Sequence, residues 1–206
     1  MICRFCFLVI FTANFKVMVI HDISSDLLRA RLYPGTVPPL LTAVSDIGKG
    51  SQYKVSSLCA DLHTGTHIDA PRHCIPDGKC IGELPLDRFL GKCIVVERNG
   101  HGTPLPAPDN GTGIVLFKNC REFPLTETEC RDIVAAGFVT VGCDDITIGA
   151  GEWEYAVHRT LLAAGIPVIE GLCLKGIAGG VYFLSALPVK IGTAEASFCR
   201  AVLVEL

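Results

Sequence analysis

The chain has no run of four or more consecutive basic residues, and its formal net charge is −3. Proteins that grip DNA or RNA carry a basic patch or stripe, so no nucleic-acid partner is expected. The same scatter of Lys and Arg offers no polybasic patch to a membrane surface. Charged residues are 19% of the sequence against 50% hydrophobic, a balance that excludes an extended disordered chain. Residues 18–206 contain no internal repeat and no low-complexity linker. They are expected to form a single domain, large enough to bury a real core. The apolar stretch Phe5–Phe11 spans seven positions, far short of the ~20 residues needed to cross a bilayer.

Cysteine, by contrast, is abundant. Eleven are present, an odd number, and most sit singly inside apolar runs such as GKCIVV and EGLCL. Disulfide scaffolds are shorter and loop-rich, so buried free thiols in a reducing compartment are the expected state. That makes the cytoplasm the expected location. Cys3 and Cys6 form a lone CxxC with no second pair, a very weak zinc half-site. Residues 1–17 are read as an extension outside the fold, with Met18 opening the domain. The competing reading is a signal or anchor, but no small-x-small cleavage site follows the apolar stretch.

Strands dominate the hydrophobic pattern. VMVIHDIS (17–24) is a short β-rich run, and Tyr33-Pro34-Gly35 with Pro38-Pro39 fix a loop. QYKVSSLCADLH alternates apolar and polar residues, the pattern of a strand, and it leads into a cluster of histidines. KCIVVER (92–98) and GIVLFK (113–118) are continuous apolar runs, expected of strands buried on both faces. Two helix–Gly–strand units come next. In the first, Thr126 and Glu129 form a capping-box pattern, Gly137 ends the helix and FVTVG is the strand. In the second, a helix runs to Ala164, Gly165 stops it, and IPVIE follows. FLSALPVKI (183–191) and CRAVLVE (199–205) are read as two further strands. The fold class is therefore α/β in the broad sense, mixed α+β.

Residues 63–73 read HTGTHIDAPRH, which holds three of the six histidines and one aspartate. Thr-Gly-Thr is poor helix material and no glutamate follows the first His, so an HExxH zincin is excluded. A turn at Gly65 leading into an extended piece puts His67 and Asp69 on one face, and can fold His63 back beside them. Two imidazoles and a carboxylate suit a borderline divalent metal, Zn²⁺ or Mn²⁺. The bland alternative is a polar turn whose histidines bond backbone or water. Further ligands are sought elsewhere. His101 lies in a glycine- and proline-rich loop, and His21 at the end of the first strand reads as structural. His158 sits in the second helix, whose following strand ends in Glu170, and a buried carboxylate there needs a partner. Asp144 and Asp145 also end a strand, but neighbours point opposite ways, so at most one faces the site. Cys74 adjoins His73, yet adjacent residues of an extended chain diverge, which makes a thiol–imidazole dyad poor.

HTGTHIDAPRH resembles the HxGTHxDxPxH signature of the cyclase family, which includes bacterial metal-dependent kynurenine formamidases and isatin hydrolases. LYPG (32–35), GKCIGELPLDRFLGKCIVVE, VHRTLLAAGIPVIEGL and the C-terminal FLSALPVKIGTAEASFCRAVLVEL resemble further family segments, in order, across residues 18–206. The resemblance implies a swivelling β/β/α domain, a homodimer or higher homo-oligomer, and one or two metal ions per chain, Zn²⁺ first and Mn²⁺ second. It implies that His63, His67 and Asp69 hold the first metal. Asp69 and Glu170 would bridge to a second, completed by His158. It implies His73 as proton donor and acceptor. Tyr33, in the proline-rich loop, would cover the site and stack on a substrate.

The implied activity is hydrolysis of a C–N amide bond in a small-molecule amide or formamide through metal-activated water. An arylformamidase, acting on N-formylkynurenine, is the leading form. The alternatives are a cyclic imide or lactam hydrolase, a cyclase-type dehydratase, and a non-catalytic metal-binding module. The chain departs from the formamidase pattern at KNCREFP and at DDITIG (144–149), where those proteins carry an RTG-type turn and a D-x-P-S motif. These loops help to shape a substrate pocket.

Overall fold

The structure is a computed structural model that describes residues 18–108 and 111–206. The expectations for residues 1–17, including the Cys3–Cys6 pair, lie outside the described residues. In chain order the strands are β1 (Ile20–Asp22), β2 (Leu40–Ser45), β3 (Val55–Cys59), β4 (His67–Asp69), β5 (Leu90–Glu97), β6 (Ile114–Lys118), β7 (Thr140–Cys143), β8 (Val168–Glu170), β9 (Gly180–Ser185), β10 (Ala196–Phe198) and β11 (Val202–Val204). The helices are α1 (Glu127–Ala136) and α2 (Glu154–Ala163).

Nine strands form one sheet in the order β1-β11-β9-β5-β6-β7-β8-β4-β10. β5 to β8 run parallel in the middle, and the flanks are antiparallel. β10 is one edge and β11 lies next to the other, yet only Cys199 to Ala201 separate them in the chain. The sheet therefore has to curl until its two edges approach. Backbone contacts mark the closure: Cys173 N–H, just past β8, donates to the Ile23 carbonyl just past β1 (2.8 Å), and Ser24 forms an isolated bridge with Leu172.

The continuous apolar run of β6 follows from cover on both faces. Leu116 joins a core with Ile68, Phe89, Ile169, Leu184 and Leu203 inside the curl. Its neighbours Val115 and Phe117 join a second core with Ile133 of α1 and Leu161 of α2. Alternate residues of one strand thus feed two cores, and each fully buried side chain of this size contributes about 1.5–3 kcal/mol. β5 departs from this expectation, because only Cys93 and Val95 are fully buried on it. Each helix is stopped where the sequence predicts, by Gly137 and Gly165 at positive φ.

Two strand readings are corrected. FLSALPVKI is not one strand: β9 ends at Ser185, and Pro188 forms only an isolated bridge with Cys199, since proline cannot donate to a ladder. QYKVSSLCADLH does form β3, but β3 pairs only with β2 in a separate hairpin, with all five of its residues exposed. The nine described cysteines are all free thiols, five of them buried.

Thr126 caps α1 as expected, and Glu129 closes the capping box. Glu129 does more. Its carboxylate accepts from Arg98 Nη2 (2.8 Å) and from Gly102 N–H (2.9 Å). Arg98 is 1% exposed and lies over the Phe117 ring, 5.6 Å from its centre. Burial raises the Glu129 carboxyl, but the amides of Thr126 and Gly102 and the Arg98 guanidinium outweigh it and hold it below its ordinary value. A group depressed in the folded state contributes stability above its unfolded pKa, about 4.3 for Glu, and loses it as pH falls through the folded value. Glu129→Gln is expected to cost about 3 kcal/mol near neutrality by stranding Arg98. In urea titrations the gap to wild type should shrink below about pH 4. A gap that stays constant into acid contradicts this assignment.

Candidate metal centre

The segment that carries the histidines is folded by its own polar residues before it reaches the sheet. Asp61 accepts the His63 amide on its side chain (3.0 Å), and its carbonyl accepts the Thr64 amide (3.1 Å). Gly65 then turns at φ +70, a conformation that favours glycine, and the chain enters β4. β4 is three residues long and fully buried, wedged between β8 and β10. His67 and Asp69 lie on one face of it. The antiparallel register sets His67 opposite Glu170 at the end of β8. Gly171, at φ +67, lets β8 turn away immediately, and a Cβ there would collide with the Gly65 carbonyl. Two glycines a hundred residues apart thus hold the two halves of the site together.

Six residues predicted from sequence converge here. His63 Nδ1 lies 2.9 Å from Asp69 Oδ1, and His67 Nε2 lies 3.4 Å from the same oxygen and 3.5 Å from Glu170 Oε2. His158, on α2, brings Nε2 to 3.0 Å from Glu170 Oε1 and 3.7 Å from Asp69 Oδ2. His67 Nδ1–H donates to the Gly65 carbonyl (3.0 Å) and His158 Nδ1–H to the Glu154 carbonyl (2.9 Å). Both rings therefore turn Nε2 inward, the arrangement that metal-ligating histidines use. Glu170 is further fixed by the Ile148 N–H (2.8 Å). His73 sits on the short turn Pro71–His73 after β4, its ring 4.3 Å from that of His63 and 5.9 Å from that of His158.

His67 Nε2 and both oxygens of Asp69 are buried with no hydrogen bond among the described residues. Buried polar atoms left in this state are costly, and here they face one another across a common space. Two sets, His63–His67–Asp69 and Asp69–His158–Glu170, each bring one donor atom per residue within 4.8 Å of the others. This nitrogen-and-oxygen set fits a divalent cation.

Charge is tightly coupled. Burial raises the Asp69 carboxyl, but the imidazoles of His63 and His67 hold it well below its usual range. Burial lowers His67 and His158, yet the facing carboxylates of Asp69 and Glu170 win and raise them to about 9 and about 10. His73 goes the other way: burial, with the nearby His63 and His158, keeps it below its ordinary value despite Asp69. Cys74 beside it is pushed up to about 11, mainly by burial, which leaves no thiolate for nucleophilic chemistry.

A cavity of about 330 Å³ opens over these groups, lined also by Tyr33, Asp61, Thr147, Glu154 and Tyr155. Tyr33 is at its rim, 43% exposed, and the Glu154 carboxylate holds its phenol above the usual value. The remaining candidates fall elsewhere. His101 is exposed. His21 bonds Glu205 (2.9 Å). Asp144 accepts the Asn119 and Cys120 amides (both 2.8 Å), and Asp145 pairs with Arg31. Sequence reasoning missed Asp61, Glu154 and Thr147. Asp61, two residues before His63, carries an Asx-turn signal, and Glu154 stands one helical turn before His158. Thr147 gave no local signal.

Ligating imidazoles must be neutral, whereas the facing carboxylates raise His67 and His158 and favour their protonated forms when no cation is present. Loading with Zn²⁺ in weakly buffered solution should therefore release protons, and apparent affinity should rise from about pH 6 to about pH 8. Uptake that is proton-neutral and flat over that range contradicts the assignment.

Comparison with known proteins is consistent with this geometry. The sequence model of the cyclase family matches residues 16–122. A kynurenine formamidase from Paracidovorax citrulli (strain AAC00-1) is 34% identical over 194 residues, covering 84% of this chain and 89% of that protein. Among solved structures, a potential metal-dependent hydrolase with cyclase activity superposes with a TM-score of 0.76 at 25% identity, covering 92% of this chain and 100% of the other. Isatin hydrolase A from Labrenzia aggregata, bound to benzyl benzoate, gives 0.73 at 19% identity over 91% of this chain and 94% of its own, a likeness of fold.

Proposed function

The chain belongs to the cyclase family, and from that membership we propose that it is a metal-dependent arylformamidase, hydrolysing N-formylkynurenine to kynurenine and formate. The observation that carries this is the buried, unpartnered donor set of His67 and Asp69 under a substrate-sized cavity with His73 beside it. His63, His67 and Asp69 would hold one ion, and Asp69, His158 and Glu170 a second, with zinc first in order and manganese as the alternative. When bound, such an ion polarises the amide carbonyl and lowers the pKa of a water molecule toward neutrality.

The chain's own residues do the rest. Burial holds the His73 pKa below its ordinary value, which favours the neutral imidazole, and its nitrogen can take a proton from the attacking water. Water adds to the formyl carbon, the C–N bond breaks, and the proton held on His73 passes to the departing aniline nitrogen. Formate and the free arylamine result. Tyr33 and Tyr155 offer aromatic faces at the cavity mouth for the aryl ring.

The β2–β3 hairpin supports a homodimer or higher homo-oligomer. Leu40, Leu41, Val44, Val55 and Leu58 are 46–66% exposed across its two faces, apolar area on a hairpin that packs against neither core and that a second copy could cover. Among the described residues no helix is long and apolar enough to cross a membrane. The described free thiols fit a reducing compartment such as the cytoplasm.

Chelation should abolish hydrolysis of N-formylkynurenine, and Zn²⁺ or Mn²⁺ should restore it; activity that survives chelation but dies on thiol alkylation contradicts the mechanism. His73→Ala should keep its metal, by mass spectrometry, while kcat falls about 10²–10⁴-fold. Light scattering should give a multiple of the 22.1 kDa chain mass, and Leu41→Asp should shift it toward monomer.

A further inference from the structure

The histidines of the metal centre are not held alike. His67 and His158 each donate Nδ1–H to a backbone carbonyl, of Gly65 (3.0 Å) and of Glu154 (2.9 Å), and turn Nε2 inward. His63 is reversed. Its Nδ1 lies 2.9 Å from Asp69 Oδ1, inside the donor set, and its Nε2 faces Glu195 Oε1 at 3.5 Å. Among the described residues no backbone carbonyl accepts from that Nε2. Glu195 therefore stands where the other two rings have main chain.

The sheet puts Glu195 there. It precedes β10, whose ladder sets Ala196 opposite Asp69 of β4. The Glu195 carbonyl accepts the Ala70 amide (2.8 Å), and the Ala194 carbonyl accepts that of Ile81 (2.9 Å). Ala194 and Ala196 on either side are buried, while the Glu195 side chain is 42% exposed. The carboxylate is thus carried on main chain fixed to the strand that carries His67 and Asp69. The His63 ring between them lies against His73, 4.3 Å between centres, and meets His67 edge-on at 5.1 Å. A half-exposed ion pair by itself is worth little. What matters here is the nitrogen it meets, because a metal-ligating imidazole is oriented and made more basic by whatever accepts its other N–H.

We propose that Glu195 is the positioning residue of His63. Its carboxylate takes the Nε2–H, which fixes the tautomer with Nδ1 unprotonated and aims that lone pair into the His63–His67–Asp69 set. Glu195 belongs to neither donor set and acts through His63. The proposal rests on the metal-centre reading above and adds what orders one of its ligands. Of the five donor residues Glu195 meets His63 alone, so its loss falls on that ring and spares His158 and Glu170.

The test compares the full-length protein, thiols reduced, with its Glu195→Ala variant. Zinc affinity is measured by competition with a chromophoric chelator, and the histidine rings of the loaded proteins are read by nitrogen NMR. Glu195→Ala should bind zinc about 10–100-fold more weakly. Glu195→Gln, which removes the charge and keeps the size, is the second variant should the first not fold, and should weaken binding in the same direction. In loaded wild type, His63 should be bound through Nδ1 with its proton on Nε2, the reverse of His67 and His158. Without Glu195 the His63 signals should shift or broaden while those of His158 stay; a general structural loss would move both. Equal zinc affinity in wild type and variant, or a wild-type His63 bound through Nε2, overturns the proposal and leaves the metal centre standing. A wild type that takes up no zinc at these histidines overturns both.

Discussion

The site depends on one pairing, that of β4 with β8. β4 is only three residues long, and its position is set by ladders on both sides and by the contact of Gly171 with the Gly65 carbonyl. That register places His67 against Glu170 and leaves Asp69 one step along the same face. A slip by one residue would send both His67 and Asp69 to the opposite face. The curl of the sheet comes from the same strand, because β10 must reach it from the far edge.

Such a site is expensive to build. Two carboxylates and two imidazoles, none more than 5% exposed, share one space. Part of the cost is offset when the imidazoles are protonated, and the orphaned atoms of His67 and Asp69 mark what protein partners alone leave unsatisfied. Two apolar cores flank the strands and hold the groups where repulsion and desolvation would otherwise drive them apart. The charged core pair Arg98–Glu129 does comparable work at the start of α1, away from the site.

Much of this was legible in the sequence, for local reasons. Thr126 with Glu129, Gly137, Gly165 and the Gly65 turn are signals of a few residues, and the structure reproduces each. His63, His67 and Asp69 converge because a turn and a two-residue period are enough to bring them together. His158 and Glu170 were recognisable by helix and strand position, although their distance to Asp69 depends on sheet order, which no local pattern encodes. β3 shows the limit: its alternation marks a strand, but only tertiary pairing reveals that both its faces lie outside the two cores. Thr147 was invisible because its meaning is the absence of a partner, a property of the folded neighbourhood.

The central claim is that the buried atoms of His63, His67, Asp69, His158 and Glu170 are a metal centre. The most direct measurement is anomalous diffraction from crystals of the protein loaded with Zn²⁺ or Mn²⁺. The account predicts anomalous density among His63, His67 and Asp69, with or without a second peak between Asp69, His158 and Glu170. Metal found only at other residues, with these side chains bonded to one another or to water, would contradict it.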